Sequence, residues 1–273
     1  MTHQPPIALL TDFGYTDPYV GIMKGTIASL DPTLTVIDLT HGIPPQDIAA
    51  ARFSLMCAYP YFPRGTVHVV VVDPGVGGQR RAIAIQLPTA VLVGPDNGVL
   101  SGVLTQVPPE QWPQVKAVQL TNATYWRSPH PSTTFHGRDI FAPVGAFLAT
   151  GVPITDLGER VELPSLVHLP QPPLVYQGDR LSGYIQHIDQ FGNLITNVPA
   201  HALPEDIRAN ADWSVQAGER LIPGCHTYGD RAEGELAALV GSHGWVEIAV
   251  NGGSARVTLA LERGGSISVI LRR

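Results

Sequence analysis

Asp73 ends an apolar, β-branched run, Val-His-Val-Val-Val-Val (67–72), and opens a glycine-rich loop, Pro-Gly-Val-Gly-Gly (74–78), that closes on Arg80 and Arg81. A carboxylate at the carboxyl end of a buried strand, with cations a few residues on, stands where open α/β sheets place their ligands. The bland alternative is a tight turn with a capping aspartate. Gly75-Val-Gly77 lacks the third glycine of a dinucleotide fingerprint, and no Gly-Lys-Ser/Thr follows, so a phosphate-cradling loop is excluded. Asp12, in Thr-Asp-Phe-Gly (11–14), ends an earlier strand-like run. It is placed to accept hydrogen bonds from the two hydroxyls of a ribose, or to cap the next helix. Asp17 precedes Pro18 and reads as a helix cap whose carboxylate can also face a cation.

Three further clusters carry polar groups between apolar ones. Pro-Asp-Asn-Gly (95–98) reads as a turn and cap, and Thr-Phe-His-Gly-Arg-Asp (134–139) pins His136 between an aromatic ring and a glycine before a helix start. Near the other end lies Asp-Gln-Phe-Gly-Asn-Leu-Ile-Thr-Asn (189–197). There Phe191 can stack on a planar ring, Asn193 can read its edge, and Asp189 can hold an ammonium, unless the segment is only a bulged hairpin about Gly192. Asn251-Gly-Gly-Ser254 is a polar turn that lets backbone approach a ligand closely. The 10 histidines form no zinc-ligand pattern, so no metal is expected, and His68, His168 and His201 read as satisfied bystanders.

The elements that must position these groups fall into two patterns. Strand and helix periods alternate from Ile7 to Thr150, which implies an α/β sandwich on a mostly parallel sheet. Pro164, Pro170, Pro172 and Pro173 then mark an extended segment. Beyond it, short strand candidates at 181–188, 194–196, 213–216, 236–240, 245–250 and 267–271 imply a small antiparallel β-barrel. The expected division is 1–165, a linker at 166–178, and 179–273.

Composition narrows the class. Of 273 residues, 44% are hydrophobic and 15% charged, the net charge is -6, and no basic block occurs, which argues against nucleic acid as a partner. No apolar run approaches a membrane span, and the first residues lack a basic n-region, so a signal peptide is not expected. Cys57 and Cys225 have no CxxC partner, and a cytoplasmic protein with two bystander thiols is the expectation.

Taken in order, the segments 11–14, 72–77, 95–98, 134–139, 189–197 and Glu-Ile-Ala-Val-Asn (247–251) resemble the S-adenosylmethionine hydroxide adenosyltransferase family, whose relatives include the fluorinase and chlorinase enzymes. The resemblance implies an N-terminal α/β domain, a C-terminal β-barrel, and a homotrimer with its site between neighbouring subunits. It implies hydrolysis of S-adenosylmethionine, as substrate rather than cofactor, by a water that Asp73, Arg80 and His136 position. It assigns the ribose to Asp12, the methionine ammonium to Asp17 and Asp189, adenine to Phe191 and Asn193, and the methionine end to the turn at Asn251. Halogenating members replace the aspartate and the histidine, so retention of both points to water. The pattern departs at Gly252-Gly253, where those members carry serine and arginine, and at Tyr19, where they carry a methionine-binding serine. The competing readings are halide-dependent adenosyl transfer and a sensor that binds S-adenosylmethionine or adenosine without turnover.

Overall fold

A computed structural model of the chain describes residues 4–272. The chain divides into two compact units, Met1–Leu169 and Pro170–Arg273. The first contains β1 (Ile7–Thr11), α1 (Tyr19–Leu30), β2 (Val36–Thr40), α2 (Ile48–Ala58), β3 (Val67–Val71), β4 (Ala82–Gln86), β5 (Val91–Pro95), α3 (Ser101–Leu104), β6 (Lys116–Gln119), α4 (Ala142–Ala149) and β7 (Glu159–Arg160). Its sheet runs β2-β1-β3-β5-β4-β6-β7. The pairings β2–β1, β1–β3 and β3–β5 are parallel, and the remaining three are antiparallel. The α/β sandwich is therefore built on a mixed sheet with its parallel half around β3.

All five residues of β3 are buried, which is why its sequence runs apolar without alternation. Val67, Val69 and Val71 pack with Met23 and Ile27 of α1 and Val144 of α4, whereas Val70 and Val72 pack with Leu55 of α2 and Val103 of α3. Helices thus cover both faces. The chain passes from β1 outward to β2, then returns across β1 to lay β3 on its other side. That reversal is a topological switch point, and it opens a crevice at the carboxyl ends of β1 and β3. Asp12 and Asp73 stand at those two ends.

Local chemistry sets the helix ends. The Asp47 side chain accepts from Ala50 N–H at 2.9 Å and caps α2. Neither Asp12 nor Asp17 caps α1, because Pro18 occupies the N-cap and no side chain bonds there. The helix expected after His136 begins as a π-turn over Gly137–Phe141 before α4. The proline-rich segment is structured at both ends. Asp96 accepts from Val167 N–H at 2.9 Å and pairs with Arg81, which also donates to Ser165 Oγ at 3.0 Å, so residues 165–167 are clamped to the first unit.

The second unit contains β8 (Val175–Gln177), β9 (Arg180–Ile188), β10 (Leu194–Pro199), α5 (Glu205–Asn210), β11 (Trp213–Ala217), β12 (Arg220–Pro223), β13 (Leu236–Val240), β14 (Trp245–Val250), α6 (Ala255–Leu259) and β15 (Ser266–Leu271). The strands run β12-β11-β15-β9-β10-β14-β13 with β8 beside β9. All pairings between them are antiparallel, and a bridge from Gly224 to Ala238 ties the two ends into a nearly closed barrel. Trp213, Ile185, Leu194, Val215, Ile248 and Val269 fill it. Among the described residues no helix is long and apolar enough to cross a membrane.

Candidate active site

The crevice of the first unit is a cleft of about 390 Å³ lined by Asp12, Gln46, Asp73, Phe135 and His136, with Tyr19 and Pro74 among its walls. Asp73 reaches it because β3 ends two residues earlier, and the Asn97 side chain donates to Val72 O at 2.9 Å to fix that strand end. The Asp73 side chain is 4% exposed. Arg80 Nε donates to both of its oxygens, at 2.9 and 3.0 Å, and Arg80 Nη2 donates to Oδ2. The same Nη2 lies 2.7 Å from His136 Nδ1, and the Phe141 ring stands 5.4 Å from the guanidinium carbon. Arg80 is thus held on three sides, and carries Asp73 and His136 as one unit.

Proton positions follow from donor logic. A guanidinium has only donors, so His136 Nδ1 accepts from Arg80 and the proton of the neutral ring sits on Nε2. Burial, then the charge of Arg80, lowers the His136 pKa from its ordinary value, while Asp73 and Asp139 oppose that shift. His136 is neutral at pH 7 and presents Nε2–H as a donor.

The glycines of the 74–78 loop serve close packing. A Cβ on Gly77, whose φ is +74°, would stand 2.2 Å from the Thr133 carbonyl oxygen, and one on Gly75 would stand 3.2 Å from Arg80 Cγ. The loop is pressed against the segment that carries His136, and this close packing accounts for its near-fingerprint of glycines. Asp139 organises that segment from below. It is 2% exposed, accepts from Ser132 N–H at 2.8 Å, and takes two bonds from Arg138, at 2.6 and 2.7 Å.

Asp12 is held in its turn by Gln46, whose N–H donates to Asp12 Oδ2 at 2.7 Å. Gln46 has φ +65°, a left-handed conformation that a non-glycine residue adopts only when its surroundings demand it. Nothing in Pro-Pro-Gln-Asp (44–47) announces this, so Gln46 escaped the sequence reading. Beneath the turn, Thr11 Oγ1 lies 2.8 Å from His41 Nδ1, and His41 Nε2 lies 3.0 Å from Asp38 Oδ1. Asp17 is exposed and does not line the cleft.

The second unit carries a separate cleft of about 500 Å³ lined by Phe191, Asn193, Tyr228, Val250, Asn251 and Gly252-Gly253. It gathers three of the four residues singled out there. The fourth, Asp189, lies behind: its oxygens accept from Phe191 N–H at 2.9 Å, Asn193 N–H at 2.8 Å and Asn193 Nδ2 at 2.9 Å. Its carboxylate shapes the loop that presents Phe191, which is 77% exposed. Gly192, at φ +81°, packs so tightly on Ser254 that a Cβ would stand 2.1 Å from its hydroxyl oxygen, and this joins the loop to the Asn251 turn. The Asn251 side chain donates to Arg231 O at 2.8 Å. Tyr228 went unnoticed in the sequence. Its hydroxyl donates to buried Glu247 at 2.5 Å, and Glu247 in turn lies 2.8 Å from His243 Nε2. The capping box at Thr227 and Asp230 that fixes Tyr228 is a signal that was there to read.

The chain matches the family model described as SAM hydroxide adenosyltransferase N-terminal domain over residues 7–158, and that of the C-terminal domain over 183–268. It is 40% identical over 272 residues to an (R)-S-adenosyl-L-methionine hydrolase of Salinispora tropica, which spans 98% of this chain and 99% of that protein. A fluorinase of Actinoplanes sp. is 26% identical over 298 residues, covering 97% of each. The crystal structure of an uncharacterized conserved protein from Thermotoga maritima superposes with a TM-score of 0.87 at 34% identity, over 97% of this chain and 99% of that one. With both family models matched in order over most of its length, this chain belongs to the SAM hydroxide adenosyltransferase family.

Proposed function

We infer that the chain hydrolyses S-adenosyl-L-methionine to adenosine and L-methionine, by in-line attack of one water at ribose C5′. The hydrogen-bonded Asp73–Arg80–His136 unit at the switch-point cleft carries this reading. The sulfonium makes methionine a neutral leaving group that needs no acid. The difficulty is the nucleophile, because bulk water has a pKa of about 15.7. As the C–O bond forms, however, the attacking oxygen becomes strongly acidic, and a carboxylate is base enough to take its proton late. His136 Nε2 already bears a proton, so Asp73 is assigned the acceptor role and His136 orients the water by donating to it. Arg80 locks both at the angle of attack, which is catalysis by positioning.

In the same reading Asp12, with Oδ2 fixed by Gln46, offers Oδ1 to the ribose diol. Phe191, Asn193 and the Asn251 turn take the adenine and the methionine end, while the assignment of the ammonium to Asp17 rests on the family resemblance alone, since Asp17 lines neither cleft. Asp189 holds Phe191 and Asn193 in place, and any ammonium contact uses its remaining lone pairs. No cofactor enters the scheme. We further propose a cytoplasmic homotrimer in which the first unit of one subunit and the second unit of its neighbour complete each site. The support is that each unit carries only half of the required groups.

Chromatography of the protein incubated with S-adenosyl-L-methionine tests the activity. Adenosine and methionine in equal amounts are expected, without need of halide. A 5′-halo-adenosine formed in chloride or fluoride would install the transferase reading, and tight binding without product the sensor reading. Asp73→Ala and His136→Ala are each expected to lower kcat by roughly 10²-fold or more while adenosine binding persists. Light scattering should return three chain masses, and a fully active monomer would refute the shared site.

A further inference from the structure

A cavity of about 430 Å³ opens at the amino end of β3, away from Asp73. Its residues are not those of either cleft described above. The volume is in the range of small-molecule sites. His68, the second residue of β3, lines it and is 1% exposed, yet neither of its ring nitrogens has a hydrogen-bond partner. Buried polar atoms in folded proteins are nearly always paired, so an orphaned imidazole against a cavity marks a group that the protein itself does not satisfy. The sequence reading of His68 as satisfied is therefore corrected: both of its ring nitrogens lack a partner.

The walls define what would satisfy it. Tyr59 and Phe62 hold the imidazole between them, with ring centroids 5.7 and 5.1 Å away, and Pro88 and Pro108 add flat apolar surface. The Tyr59 hydroxyl is already bonded to Thr89. Among the described lining residues no acidic side chain occurs, and Arg64 carries the only formal charge. Arg64 is exposed at the rim, with Nη2 donating to Pro88 O at 3.1 Å. Burial pulls His68 down to about 4, so the inner end of the cavity is neutral at pH 7 and disfavours an anion there.

We propose that this cavity is a second binding site, for a planar aromatic acid. Such a ligand has a neutral hydrogen-bonding group at the inner end of its ring, against His68, and its negative charge at the outer end, against Arg64. Flat walls select the ring, the orphaned imidazole selects the inner hydroxyl or N–H, and the lone rim cation selects the carboxylate. The proposal is independent of the reading of the switch-point cleft.

The probe is 4-hydroxybenzoate, with benzoate (no inner hydroxyl) and phenol (no charge) as its controls. Each is titrated calorimetrically into the full chain, with and without saturating adenosine. A ligand of about ten non-hydrogen atoms is expected to bind with a Kd of roughly 0.1–1 mM, and each control about tenfold more weakly. Arg64→Gln should reduce 4-hydroxybenzoate to the level of phenol while leaving phenol unchanged. His68→Phe should reduce it to the level of benzoate. If that buried substitution does not fold, the ligand series with Arg64→Gln still decides the matter. Equal binding of all three compounds, no binding at about 10 mM, or displacement of 4-hydroxybenzoate by adenosine would overturn the proposal.

Discussion

Arg80 is the residue on which the site turns, because one guanidinium fixes both Asp73 and His136. Its planar fork delivers Nε and Nη2 to the carboxylate and Nη2 to the imidazole at once. A lysine ammonium keeps the charge but is a point donor, and cannot hold two partners at fixed angles. Arg80→Lys is therefore expected to lower kcat by about 10²-fold with KM changed less than threefold, read by steady-state kinetics. A KM effect larger than the kcat effect would mean that Arg80 binds substrate rather than positions water. Gln46 shows a complementary case, where a main-chain N–H in a left-handed conformation, and no side chain, holds the Asp12 carboxylate.

Among the elements, the loop between β3 and β4 and the segment 133–136 that leads into the π-turn must meet for the trio to exist. Their contact is Gly77 against the Thr133 carbonyl. Gly77→Ala adds a methyl at an impossible distance and at a positive φ, so the loop must lift away from the His136 segment. The expected outcome is a stability loss of about 1–3 kcal/mol by urea denaturation, with kcat falling by a larger factor than that loss explains. Unchanged turnover would show that the loop has another route to the same geometry. The π-turn works alongside it, since its widened register begins at Gly137 beside His136.

For the whole molecule, the buried and uncharged His68 ties stability to pH. Its folded-state pKa, about 4, lies below the unfolded value of 6.5. Below pH 6.5 the unfolded chain takes up a proton that the folded chain refuses, so this contribution is complete above 6.5 and is lost as the pH falls through 4. The loss is on the order of 3 kcal/mol. Denaturation midpoints followed from pH 7 to pH 4 should fall more steeply in the wild type than in His68→Phe, and parallel curves would remove His68 from acid instability. The same feature that makes the cavity receptive to a neutral donor or acceptor thus costs the fold stability in acid.

The amino-acid sequence by itself determined the division into an α/β half and a β half, because strand runs with and without intervening helical periods differ in plain hydrophobic pattern. It also singled out candidate site residues: Asp12 and Asp73 stood out as carboxylates at the ends of apolar runs, and the family resemblance joined Arg80 and His136 to them. Tertiary structure decided the rest. The antiparallel half of the first sheet and the barrel closure through Gly224 depend on pairings between distant strands, which local periodicity does not encode. That Asp189 also accepts hydrogen bonds from its own loop was decided by the fold, and Gln46 and Tyr228 joined the two clefts only through a backbone conformation and a distant buried glutamate. His68 looked like any core residue, since whether a buried nitrogen finds a partner is settled by the elements that close around it.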